Sequence, residues 1–275
     1  GSYMYDFDLR TPDSAYDFLL TFFNMSGEEY IEEIIINSGN DFEKFWYRNA
    51  AKVNDINIDN IRVWGFHVVG SLDECGEIRR HGLRNLQKVL AGDTLFSRML
   101  KSNGVLFDVE RRLLFYKGKE YNVDYEWYRQ NNYTMPPEKY LEPIAHRIYY
   151  DYCVNGFMMN DDIFSYGTNI HKRPEFLMKL SAAFPELKKM EDEWAKRSKS
   201  YKVNFYATIN QIHRFNFDLN ETQEELTDEE IMLIKRWMVS HAIDRAYNNL
   251  LSEVFLYVKD EIDIPPVQIT SCEEI

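Results

Sequence analysis

Apolar side chains at helical spacing run through the first part of the chain. Leu19 and Phe23 fall on one helical face, because residues four apart lie above one another along a helix. A second helix is predicted over residues 28–36, and Asp41 is a suitable N-cap for a third. We therefore expect a helical N-terminal element over residues 1–55.

The strongest strand pattern in the first half of the chain runs from Ile61 to Val69 and is rich in β-branched and aromatic residues. Side chains alternate between the two faces of a strand. The alternation predicts that Ile61, Val63, Gly65, His67 and Val69 share one face.

The sequence of the middle of the chain indicates helices, short strands and a loop. Gly82 is a suitable stop for a short helix, and residues 85–100 predict another helix. Residues 113–121 predict a hairpin around a Lys-Gly turn. Residues 122–140 are rich in Tyr, Asn and Pro and predict a long loop, and residues 141–155 predict a helix.

The last part of the chain predicts two strands and one clear helix. The strands are residues 202–209 and 253–258. Thr227 and Glu230 form a capping-box pattern at the start of the helix. Because helices and strands do not alternate regularly along the chain, we expect an α+β fold.

Composition and charge exclude several classes of protein. The chain has 275 residues, of which 45% are hydrophobic and 15% aromatic, so disordered and collagen-like chains are excluded. Lys and Arg total 32 and Asp and Glu total 45, which gives a net charge of −13. This charge excludes a global positive field for nucleic acid, but not a local basic groove.

Three cysteines, Cys75, Cys153 and Cys272, lie far apart and form no Cys-x-x-Cys motif. The pattern favours reduced thiols and a cytoplasmic location. Apolar runs are shorter than the ~18 residues that a membrane helix needs, and no signal-like segment is recognisable, so we expect no membrane association. Gly1 and Ser2 are interpreted as a tag-cleavage remnant.

The common nucleotide and hydrolase motifs do not occur in the sequence. There is no Gly-x-x-x-x-Gly-Lys-Ser/Thr loop, no Gly-x-Gly-x-x-Gly turn after a strand and no Gly-x-Ser-x-Gly elbow. The six histidines show no His-Glu-x-x-His or His-x-His spacing. P-loop, Rossmann, α/β-hydrolase and structural zinc sites are therefore not predicted.

Two polar residues occur in otherwise apolar strands. His67 lies within IRVWGFHVV, and Glu253 opens EVFLYV. An ionised carboxylate is costly to bury without hydrogen-bond partners. Taken singly, each position has an explanation without function: His67 could be a hydrogen-bonded core residue, and Glu253 could be exposed to solvent. A functional interpretation therefore depends on the sequence around both residues.

The strand with His67 is followed by a helix and Gly82-Leu83. The strand opened by Glu253 is followed by Ile264-Pro265-Pro266. With these segments the sequence resembles the ADP-ribosyltransferase superfamily in its His-Tyr-Glu branch, which includes poly(ADP-ribose) polymerases, diphtheria-type toxins and bacterial toxins that modify nucleic acids. The stretch YGTNIHKRPEFL, residues 166–177, is similar to bacterial toxin and phage-defence members.

The resemblance implies a fold and a domain organisation. We expect a split, mixed or antiparallel β-sheet core of the ADP-ribosyltransferase type over residues 56–275, preceded by the helical element over residues 1–55. The strands that carry His67 and Glu253 are expected to be neighbours and to face one cleft.

The resemblance also implies the residue roles, with NAD as the substrate. Glu253 would stabilise the oxocarbenium-like positive charge and bind the ribose 2′-hydroxyl. His67 would bind a ribose hydroxyl, Tyr166 would stack on the nicotinamide, and Arg173 would pair with the pyrophosphate. Ser71 would supply a hydroxyl on the nicotinamide side.

Two features depart from the family pattern. The family often has Ser or Thr two residues after the histidine, where this sequence has Val69, so that Ser71 is the nearest hydroxyl. The central tyrosine is not fixed by spacing, and Tyr152 and Tyr206 are alternatives to Tyr166.

The implied function is mono-ADP-ribosyl transfer to RNA, DNA or protein by a bacterial toxin or phage-defence effector, which would need a neutralising antitoxin. Basic clusters at residues 79–88, 171–173 and 188–202 could follow a phosphate backbone. The aromatic segment with Tyr125, Trp127, Tyr128 and Tyr133 suits bases or a protein equally.

Two other interpretations stay open. One is a non-catalytic NAD- or protein-binding module on a degenerate version of the same fold, which the departure at Val69 would suit. The other is an unrelated α+β interaction protein, whose contact surface would be the helical N-terminus and the aromatic segment.

Overall fold

The computed structural model describes residues 3–131, 134–248 and 251–275. In these ranges the strands are β1 (Tyr5–Phe7), β2 (Ile61–Ser71), β3 (Val105–Asp108), β4 (Leu113–Tyr116), β5 (Lys119–Asn122), β6 (Asn155–Asn160), β7 (Lys199–Thr208), β8 (Glu253–Tyr257) and β9 (Ile269–Glu274). The helices are α1 (Pro12–Phe23), α2 (Gly27–Ile31), α3 (Phe42–Asn49), α4 (Gly76–His81), α5 (Leu86–Ala91), α6 (Leu95–Ser102), α7 (Tyr125–Gln130), α8 (Glu138–Tyr149), α9 (Phe176–Ala183), α10 (Lys188–Arg197) and α11 (Asp228–Ile243).

Elements with a strong local signal lie where the sequence predicts them. The strand patterns correspond to β2, β7 and β8, and the Lys117-Gly118 pair turns between β4 and β5. Thr227 and Glu230 form the predicted capping box of α11, and Asp41 caps α3 through the backbone N–H of Lys44. Gly82 ends α4 with a φ of 81°, a conformation that favours glycine.

Three predictions in the middle of the chain are corrected. Residues 85–100 form two helices, because Gly92 ends α5 and Thr94 caps α6. Residues 122–140 contain α7 and the start of α8 instead of a continuous loop. The helix predicted over residues 141–155 ends at Tyr149, and Asn155 is instead the first residue of β6.

Contacts divide the chain into two compact units. The first contains the chain through Phe66, Asn155–Asp161 and Asn204–Val258. The second contains His67–Val154, Asp162–Val203 and Lys259–Ile275. The helices α1 to α3, within the predicted N-terminal element, therefore belong to the same unit as β6, β8 and α11.

The sheet of the first unit has the strand order β8-β6-β2-β7, with β1 parallel to β2. Strand β6 is antiparallel to both of its neighbours, and Phe157 lies opposite Phe66 on β2 and Phe255 on β8. The strands that carry His67 and Glu253 are therefore separated by β6, and the expectation that they are neighbours is wrong.

Aromatic side chains dominate the core of the first unit. The ring of Phe7 on β1 packs edge-on against Phe18 of α1 at 5.2 Å between centroids. It also contacts Trp237 of α11 at 6.0 Å. Phe45 of α3 reaches the same core through Phe23 at 5.2 Å. The N-terminal helices therefore bury their apolar faces against β1 and α11, as amphipathic helices require.

A loop segment covers part of the outer edge of β8. Ile212 forms an isolated antiparallel bridge with Val258, and the backbone N–H of His213 donates to Tyr257 O at 3.0 Å. The side chain of Asn216 continues this pairing, because Nδ2 donates to Tyr257 O at 2.8 Å and Oδ1 accepts from Tyr257 N–H at 2.9 Å. One amide thus serves both backbone groups of a strand residue.

In the second unit, β3, β4 and β5 form an antiparallel sheet in sequence order. This sheet packs with helices α5 to α10 around one apolar core. Phe96 lies in that core between Phe176 and Trp194, at 6.3 and 5.7 Å between ring centroids. The ends of β2 and β7 continue into this unit, where β9 joins β7.

The fold class is α+β, as the sequence predicts. The sheet of the first unit is mixed and the β3-β4-β5 sheet is antiparallel, because only the β1–β2 pairing is parallel among those whose register is described. Within residues 3–131, 134–248 and 251–275, no helix has both the length and the apolar character needed to cross a bilayer.

Candidate functional site

Glu253 is the first residue of β8 in the first unit, and its side chain is exposed. Asn160, its cross-strand partner on β6, donates from Nδ2 to Glu253 Oε2 at 3.2 Å. Asn160 is itself buried, so the surrounding strands hold the amide in position. The carboxylate is thus oriented by one hydrogen bond and remains accessible to a bound molecule.

Three phenyl rings form a row across β8, β6 and β2. Alternation along β8 places Phe255 on the same face as Glu253. The Phe255 ring lies 5.2 Å from the Phe157 ring, which lies 5.7 Å from the Phe66 ring.

A second aromatic cluster in the first unit contains a paired cation. The rings of Trp64 and Tyr206 are 5.2 Å apart, and the Arg62 guanidinium lies 5.7 and 5.3 Å from them. Asp6 accepts from Arg62 Nε and from Trp64 Nε1, both at 2.8 Å. Tyr206, one alternative for nicotinamide stacking, therefore has a ring already contacted by an indole and a guanidinium.

His67 lies on β2 and is half-buried, where the chain enters the second unit. Burial does not follow the predicted shared face along the whole strand: Ile61, Val63 and Gly65 are buried on it, but from Phe66 to Val69 the buried residues are Phe66 and Val68, and His67 and Val69 are half-buried. Alternation along β2 directs His67 away from the face of the preceding residue, Phe66.

Ser71, the last residue of β2, uses its hydroxyl to form the turn that follows. Its Oγ accepts from the backbone N–H of Cys75 at 2.9 Å and donates to Asp73 Oδ1 at 2.9 Å. Asp73 Oδ2 in turn accepts from the backbone N–H of Glu77 in the first turn of α4. The hydroxyl predicted to act on the nicotinamide side thus has structural partners.

Arg173 is buried, and protein groups surround its guanidinium. Nε donates to Glu191 Oε2 at 2.8 Å, and Nη1 donates to the carbonyl of Thr168. Glu191 also accepts from Lys188 Nζ at 3.0 Å. The charge that was predicted to pair with a pyrophosphate is therefore balanced by a buried carboxylate of α10.

The two remaining tyrosine candidates differ in their environment. Tyr166 is half-buried at the end of the 3₁₀ turn Ile163–Ser165. Tyr152 donates its hydroxyl to Glu261 at 2.8 Å, and burial together with this carboxylate raises the pKa of Tyr152. Tyr152 is thereby tied to a neighbouring carboxylate, and Tyr166 stays the predicted stacking residue.

The second unit brings the end of β2 against the segment that follows Tyr166. A Cβ atom added to Gly70 would lie 2.2 Å from Lys172 O, closer than any side chain tolerates. Trp194 of α10 donates from Nε1 to Gly70 O at 2.9 Å. These contacts place two predicted site segments, the turn at Ser71 and the segment of Arg173, side by side.

Several side chains of the predicted contact surfaces for macromolecules already form ion pairs or hydrogen bonds within the chain. In the basic clusters, Lys88 pairs with Asp263 at 2.8 Å, Arg84 with Glu77 at 3.6 Å, and Arg197 with Glu193 at 3.8 Å. In the aromatic segment, Tyr128 is buried and donates to Asn122 O, whereas Trp127 is 38% exposed. Tyr133 lies outside the described residues.

Three residues that the sequence analysis did not select support the predicted site segments: Asn160, Glu191 and Trp194. Asn160 follows four apolar or small residues on a strand, which is the same signal that selected His67 and Glu253. Glu191 and Trp194 lie three residues apart and share the buried face of α10. Their partners lie far away in the sequence, so no local pattern links them to the site.

Of the predicted site residues, Glu253 belongs to the first unit, and His67, Ser71, Tyr166 and Arg173 belong to the second. Comparisons of the chain with protein-family models, curated proteins and solved structures found no match.

Proposed function

We propose that this protein is an NAD-dependent mono-ADP-ribosyltransferase that acts on a macromolecule, with Glu253 as its catalytic carboxylate. The proposal rests on the resemblance of the His67 and Glu253 segments to the His-Tyr-Glu branch. One observation carries it further: Glu253 is exposed, and the side-chain amide of the buried Asn160 donates a hydrogen bond to its carboxylate.

The reaction breaks the bond between nicotinamide and C1′ of the ribose. Nicotinamide leaves with the bonding electron pair, C1′ becomes positively charged, an acceptor atom on the target attacks C1′, and the acceptor releases a proton. A fixed negative charge next to C1′ lowers the barrier, because it interacts more strongly with the positively charged transition state than with the ground state. Glu253 is proposed for this role.

The decisive experiment measures nicotinamide release from NAD in a cell lysate with wild type and Glu253→Gln. The substitution keeps the side-chain size and removes the charge. We expect release by wild type and a fall of about 100-fold in the variant, the typical loss when a preorganised electrostatic group is removed. Treating the lysate with nuclease or protease beforehand assigns the acceptor to nucleic acid or protein.

The matched control is Glu229→Gln, which changes an exposed glutamate in the first turn of α11 within the same unit. It should retain wild-type release, and thermal unfolding should show that both variants are folded. Release by Glu253→Gln within threefold of wild type, or no release by wild type in lysates of any source, would contradict the proposal.

A second candidate function is a non-catalytic NAD- or protein-binding module on the same kind of fold. It is favoured by the internal partners of two predicted site groups: the Ser71 hydroxyl bonds Cys75 and Asp73, and the Arg173 guanidinium bonds Glu191. Calorimetric titration with NAD separates the candidates. Binding without nicotinamide release supports the module, and the lack of both supports an interaction protein unrelated to NAD.

A further inference from the structure

One helical segment near the N-terminus exposes three isoleucines on its outer side. Helix α2 continues into a π-helical turn over Glu32–Asn37. Tyr30 and Ile34, four positions apart, are buried on the inner side of this segment. Three side chains on the outer side are 49%, 50% and 73% exposed, namely Ile31, Ile35 and Ile36. We call these three residues the isoleucine face.

The isoleucine face differs from the surfaces of the neighbouring helices. The other helices that the structure describes in the first unit expose at most one large apolar side chain each, such as Tyr47 on α3 and Leu233 on α11. Single exposed apolar residues are normal, whereas several together mark a contact surface. Isoleucine also has a lower helix propensity than leucine, lysine or glutamate, so these residues do not favour the helix itself. The isoleucine face is therefore best explained by a contact with another molecule.

Carboxylates flank the isoleucine face. Glu28 and Glu32 are four positions apart, and both side chains are exposed. They precede Ile31 and Ile35 by three positions each, and side chains three apart are neighbours on a helix surface. Neither glutamate forms an ion pair with any residue that the structure describes. The isoleucine face thus combines exposed apolar area with negative charge that a cation of a partner can reach.

We propose that the isoleucine face binds an amphipathic helix of a partner protein that carries Lys or Arg beside its apolar residues. The apolar side of such a helix would cover the isoleucines, as amphipathic helices do when they bind an apolar surface. Its cations would lie against Glu28 and Glu32, and complementary charges of this kind select the partner and fix its register. The inference involves neither NAD nor Glu253, so it goes beyond the proposed function and is tested separately from it.

The charges disfavour three other occupants of the isoleucine face. A second copy of this chain in a two-fold contact would bring two sets of the same glutamates to one interface, and the net charge of −13 adds general repulsion. Nucleic acid and anionic lipid carry negatively charged phosphates and are repelled in the same way. A helix that is both apolar and cationic gains from the isoleucines and from the glutamates.

The test measures the binding of a fluorescent synthetic helix to the whole chain by fluorescence anisotropy. The probe peptide has leucine on one side and lysine on the other, and the reference peptide has glutamate in place of each lysine. We expect wild type to bind the lysine peptide at least about tenfold more tightly than the glutamate peptide. The double variant Ile31→Ser, Ile35→Ser should bind the lysine peptide about tenfold more weakly than wild type, because two apolar contacts are lost.

A charge variant and a matched control complete the design. Glu28→Gln with Glu32→Gln should weaken binding of the lysine peptide about threefold and reduce its salt dependence, as is usual for exposed charge pairs. Leu233→Ser removes a single exposed apolar side chain from α11 in the same unit and should bind within about twofold of wild type. Because all the changed side chains are exposed, thermal unfolding should show that every variant is folded.

Four results would overturn the proposal. Two of them are equal binding of the lysine peptide by wild type and the isoleucine variant, and equal binding of the two peptides by wild type. The third is a wild-type dimer in light scattering that the isoleucine variant converts to a monomer, which would assign the face to a second copy. The fourth is sedimentation with phosphatidylcholine vesicles that the isoleucine variant abolishes, which would assign the face to lipid.

Discussion

Glu253 in the first unit and Glu191 in the second are two carboxylates with opposite environments. Glu191 is 3% exposed and accepts hydrogen bonds from Arg173 and Lys188. Glu253 is exposed and accepts from one neutral amide, that of Asn160. A buried carboxylate that is paired with a buried cation contributes to the fold. An exposed carboxylate that is oriented by a neutral amide is available to the positive charge of a bound molecule.

The difference also explains two predicted roles. The resemblance predicts that Arg173 pairs with a pyrophosphate, but its guanidinium faces Glu191 and two backbone carbonyls of the segment after Tyr166. The first role of Arg173 is therefore structural: it fixes the segment that follows Tyr166. The carboxylate proposed for chemistry is the one that lacks such a counter-charge in the described contacts.

The largest effect is expected when the buried carboxylate is neutralised. Glu191→Gln leaves the Arg173 guanidinium buried without its counter-charge, so the free energy of unfolding should fall by about 3 kcal/mol. Glu253→Gln should change it by less than about 0.5 kcal/mol, as is usual at exposed positions. Urea unfolding followed by fluorescence measures both. Equal losses of unfolding free energy in the two variants would contradict the distinction between a stabilising Glu191 and an exposed Glu253.

The next largest effect concerns the packing that the Arg173 segment makes at the end of β2. Gly70→Ala would place a Cβ atom 2.2 Å from Lys172 O and 2.3 Å from its carbonyl carbon, so backbone must move. We expect the free energy of unfolding to fall by about 2 kcal/mol, within the range for overpacked sites. Gly167→Ala is the matched control, because its Cβ would meet no atom within 4 Å. Similar losses from both variants would contradict this account.

Acid should weaken the Glu191 contact in a defined window. Burial raises the pKa of Glu191, but hydrogen bonds from Lys188 and Arg173 lower it more, and the pKa lies below its ordinary value of 4.5. The stabilisation is therefore complete above pH 4.5 and is lost as the pH falls through the folded pKa, by up to about 1.4 kcal/mol per pH unit.

Comparing wild type with Glu191→Gln by urea unfolding from pH 6 down to pH 3 isolates this contribution. Hydrogen bonds from Arg48 lower the pKa of Glu33 to about 2, but Glu33 titrates in both proteins and cancels in the difference. The gap between the two unfolding free energies should shrink with acid. A constant gap would show that the Glu191 charge does not stabilise the fold.

The smallest effect is expected from the exposed partner of the same carboxylate. Lys188 is 60% exposed, and exposed ion pairs contribute little because water screens them. Lys188→Ala should lower the free energy of unfolding by less than about 0.5 kcal/mol, measured in the same urea series. A loss as large as that of Glu191→Gln would mean that Lys188, and not Arg173, is the main counter-charge.

Local signals explain which elements the sequence could predict. Alternation and β-branched residues identified β2, β7 and β8, and a capping box identified the start of α11. Strand β6, with the sequence NGFMMN, has no alternation, because five of its six residues are buried and both of its faces are therefore covered. Strand β9, ITSCEE, is polar and mostly exposed, so it resembles a loop.

The site was less predictable than the fold, since its geometry depends on long-range partners. The sequence selected Glu253 as a polar residue in an apolar strand, but nothing near it in the sequence indicates the bond from Asn160. Ser71 and Arg173 were selected for their chemistry, and only the structure brings Asp73, Cys75 and Glu191 to them. A polar side chain identifies a position, and its partners decide its role.

The pairing of Asn216 with Tyr257 has a consequence for self-association. Strand β8 is the outermost strand of the first unit's sheet, and an open strand edge is a template on which another chain can add its own strand. At Tyr257 both backbone groups that face outwards are already bonded to the Asn216 amide. A second molecule would have to displace a bidentate side chain before it could extend the sheet there, and this protects the folded chain against fibrillar aggregation at that end of β8.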